Sequence, residues 1–212
     1  MGKNKNKQQQ RKAQKEVNRK LKRKMVATPK TRSLVSQIHT ASKWPLLECH
    51  IADEWQQNLL GNVIVSRRGP NAEVTVASFL LDFGCLGVKD VWVHADVSLS
   101  LYKEKGAINS PNIGDRIEIS PDDALKLIDA ARAYGESLGF PAPKLLIPAL
   151  RMLGDADATK SALEVECGKD GKPLWVPGPA DNVPFILEHL NKTLGPDGFN
   201  YIAEIAAGSY EE

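Results

Sequence analysis

Asn62-Val63-Ile64-Val65-Ser66-Arg67, then Arg68-Gly69-Pro70-Asn71, then Glu73-Val74-Thr75-Val76-Ala77-Ser78-Phe79-Leu80-Leu81 is the stretch that decides the fold. Two runs rich in β-branched residues flank a Gly-Pro-Asn break, which reads as a β-hairpin. Past Gly84 and Gly87, the apolar residues Val91, Val93, Ala95, Val97, Leu99 and Leu101 occupy every second position, with Trp92, His94, Asp96, Ser98 and Ser100 between them. That alternation predicts a third strand with one buried face. Upstream, Leu47, Cys49 and Ile51 alternate with Glu48 and His50 in a shorter strand near Trp44-Pro45, and a helical or looped piece over 52–60 ends at Gly61.

Helical signals follow. Ser120-Pro121-Asp122-Asp123 supplies an N-cap hydroxyl, a proline at the first helical position and acids in the first turn, where the helix dipole favours negative charge. Ala124, Leu127, Ile128, Ala131, Tyr134 and Leu138 then share one face until Gly139 and Pro141 end it. A short helix is expected over 145–153. Leu163, Val165 and Cys167 alternate with Glu164 and Glu166 before a Lys169-Asp170-Gly171-Lys172 turn and Leu174-Trp175-Val176, which reads as a second hairpin. A helix over 183–194 and a last strand over 199–205 complete the pattern. The expected fold is α+β: a single domain of two β-hairpin/helix units over residues 44–206. A flexible basic arm and linker, 1–43 and partly helical or disordered, precedes it, and a short acidic tail, 207–212, follows.

The chain has 212 residues, 42% of them apolar and 25% charged, which suits one globular domain with a real core. No run approaches the roughly 18 apolar residues of a membrane-spanning helix, and the first thirty or so residues lack the apolar segment of a secretory signal, so a cytoplasmic protein is expected. Cys49, Cys85 and Cys167 are odd in number and widely spaced. They build neither a disulfide framework nor a zinc motif, and no metal or cofactor is expected.

The net charge of +2 conceals a polarised molecule. Residues 1–32 hold 13 Lys and Arg against one acid, Glu16, a net of +12; the other 180 residues hold 15 bases and 25 acids, a net of −10. Within the arm, Ala13, Val17, Leu21 and Met25 recur every four positions among Arg11, Lys12, Lys15, Arg19, Lys20, Lys22, Arg23 and Lys24. Such a segment is a conditional helix whose bases suit a nucleic-acid phosphate backbone, and its lack of aromatics argues for positioning rather than sequence readout. The alternatives are docking on an acidic protein surface, the protein's own body or that of a neighbour, and a mere aid to solubility; the narrow stripe of small and medium side chains argues against a membrane.

One segment concentrates chemistry. Asp82-Phe83-Gly84-Cys85-Leu86-Gly87-Val88-Lys89-Asp90 places two acids, a thiol and a lysine within nine residues. With Gly154-Asp155-Ala156-Asp157, the Gly168–Pro173 turn and the closing Gly195–Phe199 element, it resembles a family of small uncharacterised bacterial proteins carrying D-x-x-C-L-G-V-K-D, G-D-x-D and G-K-D-G-K-P motifs. The resemblance covers roughly residues 44–205, misses the arm and implies no activity. Carboxylates beside a lysine suit metal-assisted phosphodiester hydrolysis, making Asp82, Cys85, Lys89 and Asp90 the candidate catalytic set. The plainer reading is a glycine-permitted turn with Cys85 and Leu86 in the core and Lys89 paired with an acid. His94, Asp96 and Ser98 share a strand face, but Asp96 lies in the middle, where a triad needs its base. Walker A, G-x-G-x-x-G and G-x-S-x-G loops are absent. The sequence therefore favours a non-enzymatic nucleic-acid-associated protein, an accessory subunit of a larger nucleoprotein complex. Its arm would grip RNA or DNA while the acidic body contacts protein; a nucleic-acid hydrolase built on Asp82, Lys89 and Asp90 is the alternative.

Overall fold

The computed structural model describes residues 32–105 and 115–202. The arm bases from Arg11 to Lys24, the end of the expected last strand and the acidic tail lie outside these residues.

The body is α+β. Five antiparallel strands form one sheet in the order β4-β3-β2-β1-β5, with β1 Leu46–Ala52, β2 Leu60–Arg68, β3 Glu73–Asp82, β4 Gly87–Ser98 and β5 Arg116–Glu118. The expected hairpin is β2–β3, in continuous register from Leu60 opposite Asp82 to Arg68 opposite Val74. Its turn closes with the Gly69 amide donating to the Glu73 carbonyl at 2.8 Å, and Asn71 and Ala72 take positive φ of 60° and 57°.

The alternation predicted from β-branched residues becomes two-faced burial. Cys49, Ile51, Val63, Val65, Ala77, Phe79 and Val91 point into the main core, which helix α4, Pro121–Ser137, closes with Ala124, Leu127, Ile128 and Ala131. On the opposite face Ile64, Val74, Val76 and Val97 pack with Tyr102 of helix α3, Leu99–Lys105. The strand ends at Ser98, short of the expected Leu101. Asp96 is the extra residue of a β-bulge with φ of 57°, and the Ser98 hydroxyl accepts from the Leu101 amide at 3.3 Å, starting α3. In the helix Leu99 packs beside Tyr102 while Leu101 is exposed, so the every-second-position pattern stops at the serine cap.

Helix α4 begins where the sequence places it, and the short helix expected over 145–153 forms as α5, Leu146–Leu150. The Ser120 hydroxyl accepts from the Asp123 amide at 3.0 Å, and the Asp123 carboxylate reaches back to the Ser120 amide, a complete capping box. The folded part starts before Trp44, because Leu34–Ala41, expected within the linker, forms helix α1 and buries Ile38 and Ala41 in the main core. Buried Arg67 ties this entrance to the rest, donating to the carbonyls of Trp44 and Met152 at 2.5 and 2.7 Å.

The second hairpin is not formed, which corrects the expectation of two similar hairpin/helix units. Leu163, Val165 and Cys167 do pack on the main core while Glu164 and Glu166 are exposed, but the segment has no strand partner. Alternation reports which side faces the core; it does not report pairing. A single bridge, Lys169 to Lys172, closes a tight turn with Asp170 and Gly171 at positive φ. Beyond it β6, Leu174–Trp175, runs parallel to β7, Asn200–Tyr201, with helix α6, Val183–Leu194, between them in sequence. Trp175, Ile186, Leu190 and Phe199 build a second small core with Cys85, Leu86 and Leu138. Among the described residues no helix is long and apolar enough to cross a membrane.

Helix α4 and the start of β4 touch backbone to backbone. A Cβ on Gly135 would meet the Gly87 Cα and the Leu86 carbonyl oxygen, each at 2.8 Å. Gly135→Ala therefore sets a helix-propensity gain of about 1 kcal/mol against overpacking of about 1–3 kcal/mol with rigid backbone on the other side. We expect a lower urea midpoint for this variant; a raised midpoint would show that the contact yields.

Candidate functional site

The segment Asp82–Asp90 joins β3 to β4 and crosses from one core to the other. Phe83 lies in the main core against Trp55, ring centroids 4.9 Å apart, whereas Cys85 and Leu86 lie in the second core. Asp82 folds the turn between them, its Oδ1 accepting from the Cys85 amide at 2.8 Å. The turn's carbonyls are taken as well: that of Phe83 accepts from the Gly168 amide at 2.8 Å and that of Gly84 from the Leu174 amide at 2.9 Å. A Cβ on Gly84 would strike the Leu174 oxygen at 2.4 Å, so the glycine is required by this close approach.

The four candidate catalytic side chains do not form one constellation. Cys85 is fully buried, and burial first, then the Asp82 charge, pushes its thiol up to about 12, away from the thiolate a nucleophile needs. Lys89, the extra residue of a second bulge in β4, turns its ammonium to Asp181 at 2.8 Å. The same Asp181 oxygen accepts from the Gly178 amide at 2.8 Å and the Trp175 indole at 3.3 Å. Asp90 accepts from the adjacent Val91 amide at 2.7 Å. Asp82 and Lys89 do share an open cleft of about 880 Å³; Asp90 does not line it.

Three other segments complete that cleft. Glu54 precedes and Asn58 ends the short helix α2, Trp55–Asn58; Glu166, Asp170, Val176, Pro177 and Pro179 come from the stretch on either side of β6; Ile202 follows β7. Sequence reasoning missed Asp181. The available signal was an acid three residues after Gly178 in a proline-rich loop, where a carboxylate readily caps a free amide.

The other singled-out residues have structural placements. Trp175 is buried and Trp92 is 39% exposed on the sheet. Asp96 accepts from the Gln37 side chain at 2.8 Å. In the G-D-x-D element the Asp157 amide donates to Asp122 at 2.7 Å and the Asp157 carboxylate caps Thr159. Among the described residues no group of three or more His, Cys, Asp or Glu is placed to hold a metal ion. No family model, curated protein or solved structure matches the chain.

Asp82 carries the unusual electrostatics of the cleft. Burial pushes its carboxyl up to about 6, against the downward pull of the Cys85 amide and the Lys89 charge. A carboxyl whose native pKa exceeds its unfolded value holds its proton more tightly when folded, so stability is highest at low pH and falls as the pH rises through the native pKa. Asp82→Asn keeps the acceptor and stays neutral. It should exceed the wild type in stability by on the order of 2 kcal/mol at pH 7, with the difference vanishing towards about pH 4. Urea midpoints of the two proteins that run parallel across that range would contradict a charged, buried Asp82.

Proposed function

We propose that the chain is a nucleic-acid-associated protein without chemistry of its own, an accessory subunit whose basic arm grips the phosphate backbone and whose acidic body contacts protein. One observation carries this reading: a net charge of +12 over residues 1–32 joined to a net of −10 over the rest. A charge run on a uniformly mixed protein is ordinarily a solvated face, but opposite net charges on two segments suit two partners of opposite charge. Each phosphate that a lysine or arginine neutralises releases condensed counterions, so affinity comes without sequence readout.

The hydrolase alternative draws less support from the body. Its lysine is neutralised by Asp181, its thiol is buried, Asp90 lies outside the cleft, and only Asp82 retains an unusual protonation equilibrium. General acid–base work needs a second group poised against the first, and the Asp82 carboxylate instead accepts from the Cys85 backbone amide.

Deleting residues 1–32 should abolish most binding to generic RNA or DNA while leaving the urea midpoint of the body unchanged. Binding by the full chain should weaken by roughly 10³-fold or more between about 50 and 200 mM salt, as expected for several phosphate contacts. Binding that survives the deletion, or that ignores salt, would refute the assignment.

A further inference from the structure

The cleft around Asp82 continues past the Pro177-Gly178-Pro179 ridge. On the far side lies a second depression of about 490 Å³, lined by Trp175, Val183, Leu187 and Tyr201, with all three ridge residues common to both. The two halves differ in chemistry. The first presents the exposed carboxylates of Glu54, Glu166 and Asp170 against the single exposed base Lys169, because the Lys89 charge is taken by Asp181. The second is apolar. Large apolar side chains stand in water along both, including Val176 at 48%, Tyr201 at 51% and Ile202 at 52% exposure. Contiguous apolar surface with a polar, mainly acidic rim marks an interaction site rather than ordinary surface.

We propose that this double groove binds an extended segment of a partner protein, one that carries lysine or arginine over the acidic half and a large apolar side chain in the apolar half. The sign of the first half repels phosphates and other anions and attracts cations. The shape favours an extended chain, since one compact molecule does not fill two depressions separated by a ridge. Two prolines with fixed φ and the Asp181 hydrogen bonds hold that ridge, so the groove is formed before the partner arrives and less ordering entropy is lost on binding. The inference rests on the reading of the acidic body as a protein-contacting part and names the class of segment it contacts.

The test uses the full chain and a fluorescent synthetic peptide with several lysines spaced by glycine and serine, followed by a Phe-Leu pair. Anisotropy titration should show saturable binding that weakens about tenfold or more in the double variant Glu166→Lys, Asp170→Lys. Both side chains are exposed, and because Asp170 takes positive φ in its turn, a urea midpoint of the variant matching the wild type is required alongside the titration. Glu164→Lys, exposed but outside the lining, should bind like the wild type. A peptide with Ser-Ser in place of Phe-Leu should bind about tenfold more weakly. Equal weakening by Glu164→Lys, or indifference to the apolar pair, would reduce the effect to general charge attraction and overturn the proposal. So would sedimentation showing a dimer that Val176→Asp dissolves, because the occupant would then be a second copy. RNA titrations on the same proteins keep the two readings apart. Removal of residues 1–32 should abolish RNA binding and leave peptide binding, so failure of the arm appears only in the first titration and failure of the groove only in the second.

Discussion

The backbone of helix α4 meets the backbone of the β3–β4 turn at Gly135 and Gly87 with no side chain between them. This contact sets the depth at which the helix sits on the sheet. With the helix that close, Ala131 and Leu127 reach the strands' inner face, and the turn is pressed outward so that Leu86 and Cys85 enter a separate core. Asp82 folds the turn from inside, and the amides of Gly168 and Leu174 hold it from outside. The second core, β6, β7 and α6 hang on those bonds. A segment dense in acids, thiol and lysine is thus a junction, and its residue types follow from tight turning, backbone capping and one buried ion pair.

Much of this was legible in the chain because the signals were local. The β2–β3 hairpin needs only β-branched runs and a turn, and α4 needs only Ser120, Pro121 and Asp123 in order. The failures share a cause, which is dependence on contacts distant in sequence. Helix α1 is short, and burial of Ile38 and Ala41 in the main core, with Gln37 donating to Asp96 of β4, holds it. The 163–167 segment alternates because one side lies on the core, whereas the expected partner strand is engaged elsewhere, the Leu174 amide bonding to the Gly84 carbonyl and β6 pairing with β7. The partner of Lys89 lies 92 residues away, so no spacing rule finds it. Of the candidate site, the plainer reading of Cys85 as core and Lys89 as paired with an acid matches the geometry. The cleft itself is assembled from four distant pieces and leaves no motif.

Function then falls to the charge distribution. On the proposed function, the acidic body would repel nucleic acid, so contact with phosphates would come through a segment of opposite sign, and the arm is the basic segment of the chain. The acidity of the body would then be left to recruit basic protein. In that proposal the two charges serve different partners, and neither role asks the buried turn to open.

A structural Asp82–Asp90 junction shields Cys85, so the rate at which its thiol reacts with an alkylating agent in the folded protein is the decisive measurement. Cys85 should label only through global unfolding, at a rate that follows overall stability across a urea series, while half-buried Cys167 labels first. Rapid, selective labelling of Cys85 under native conditions, independent of urea, would contradict it and return the segment to the status of an active site.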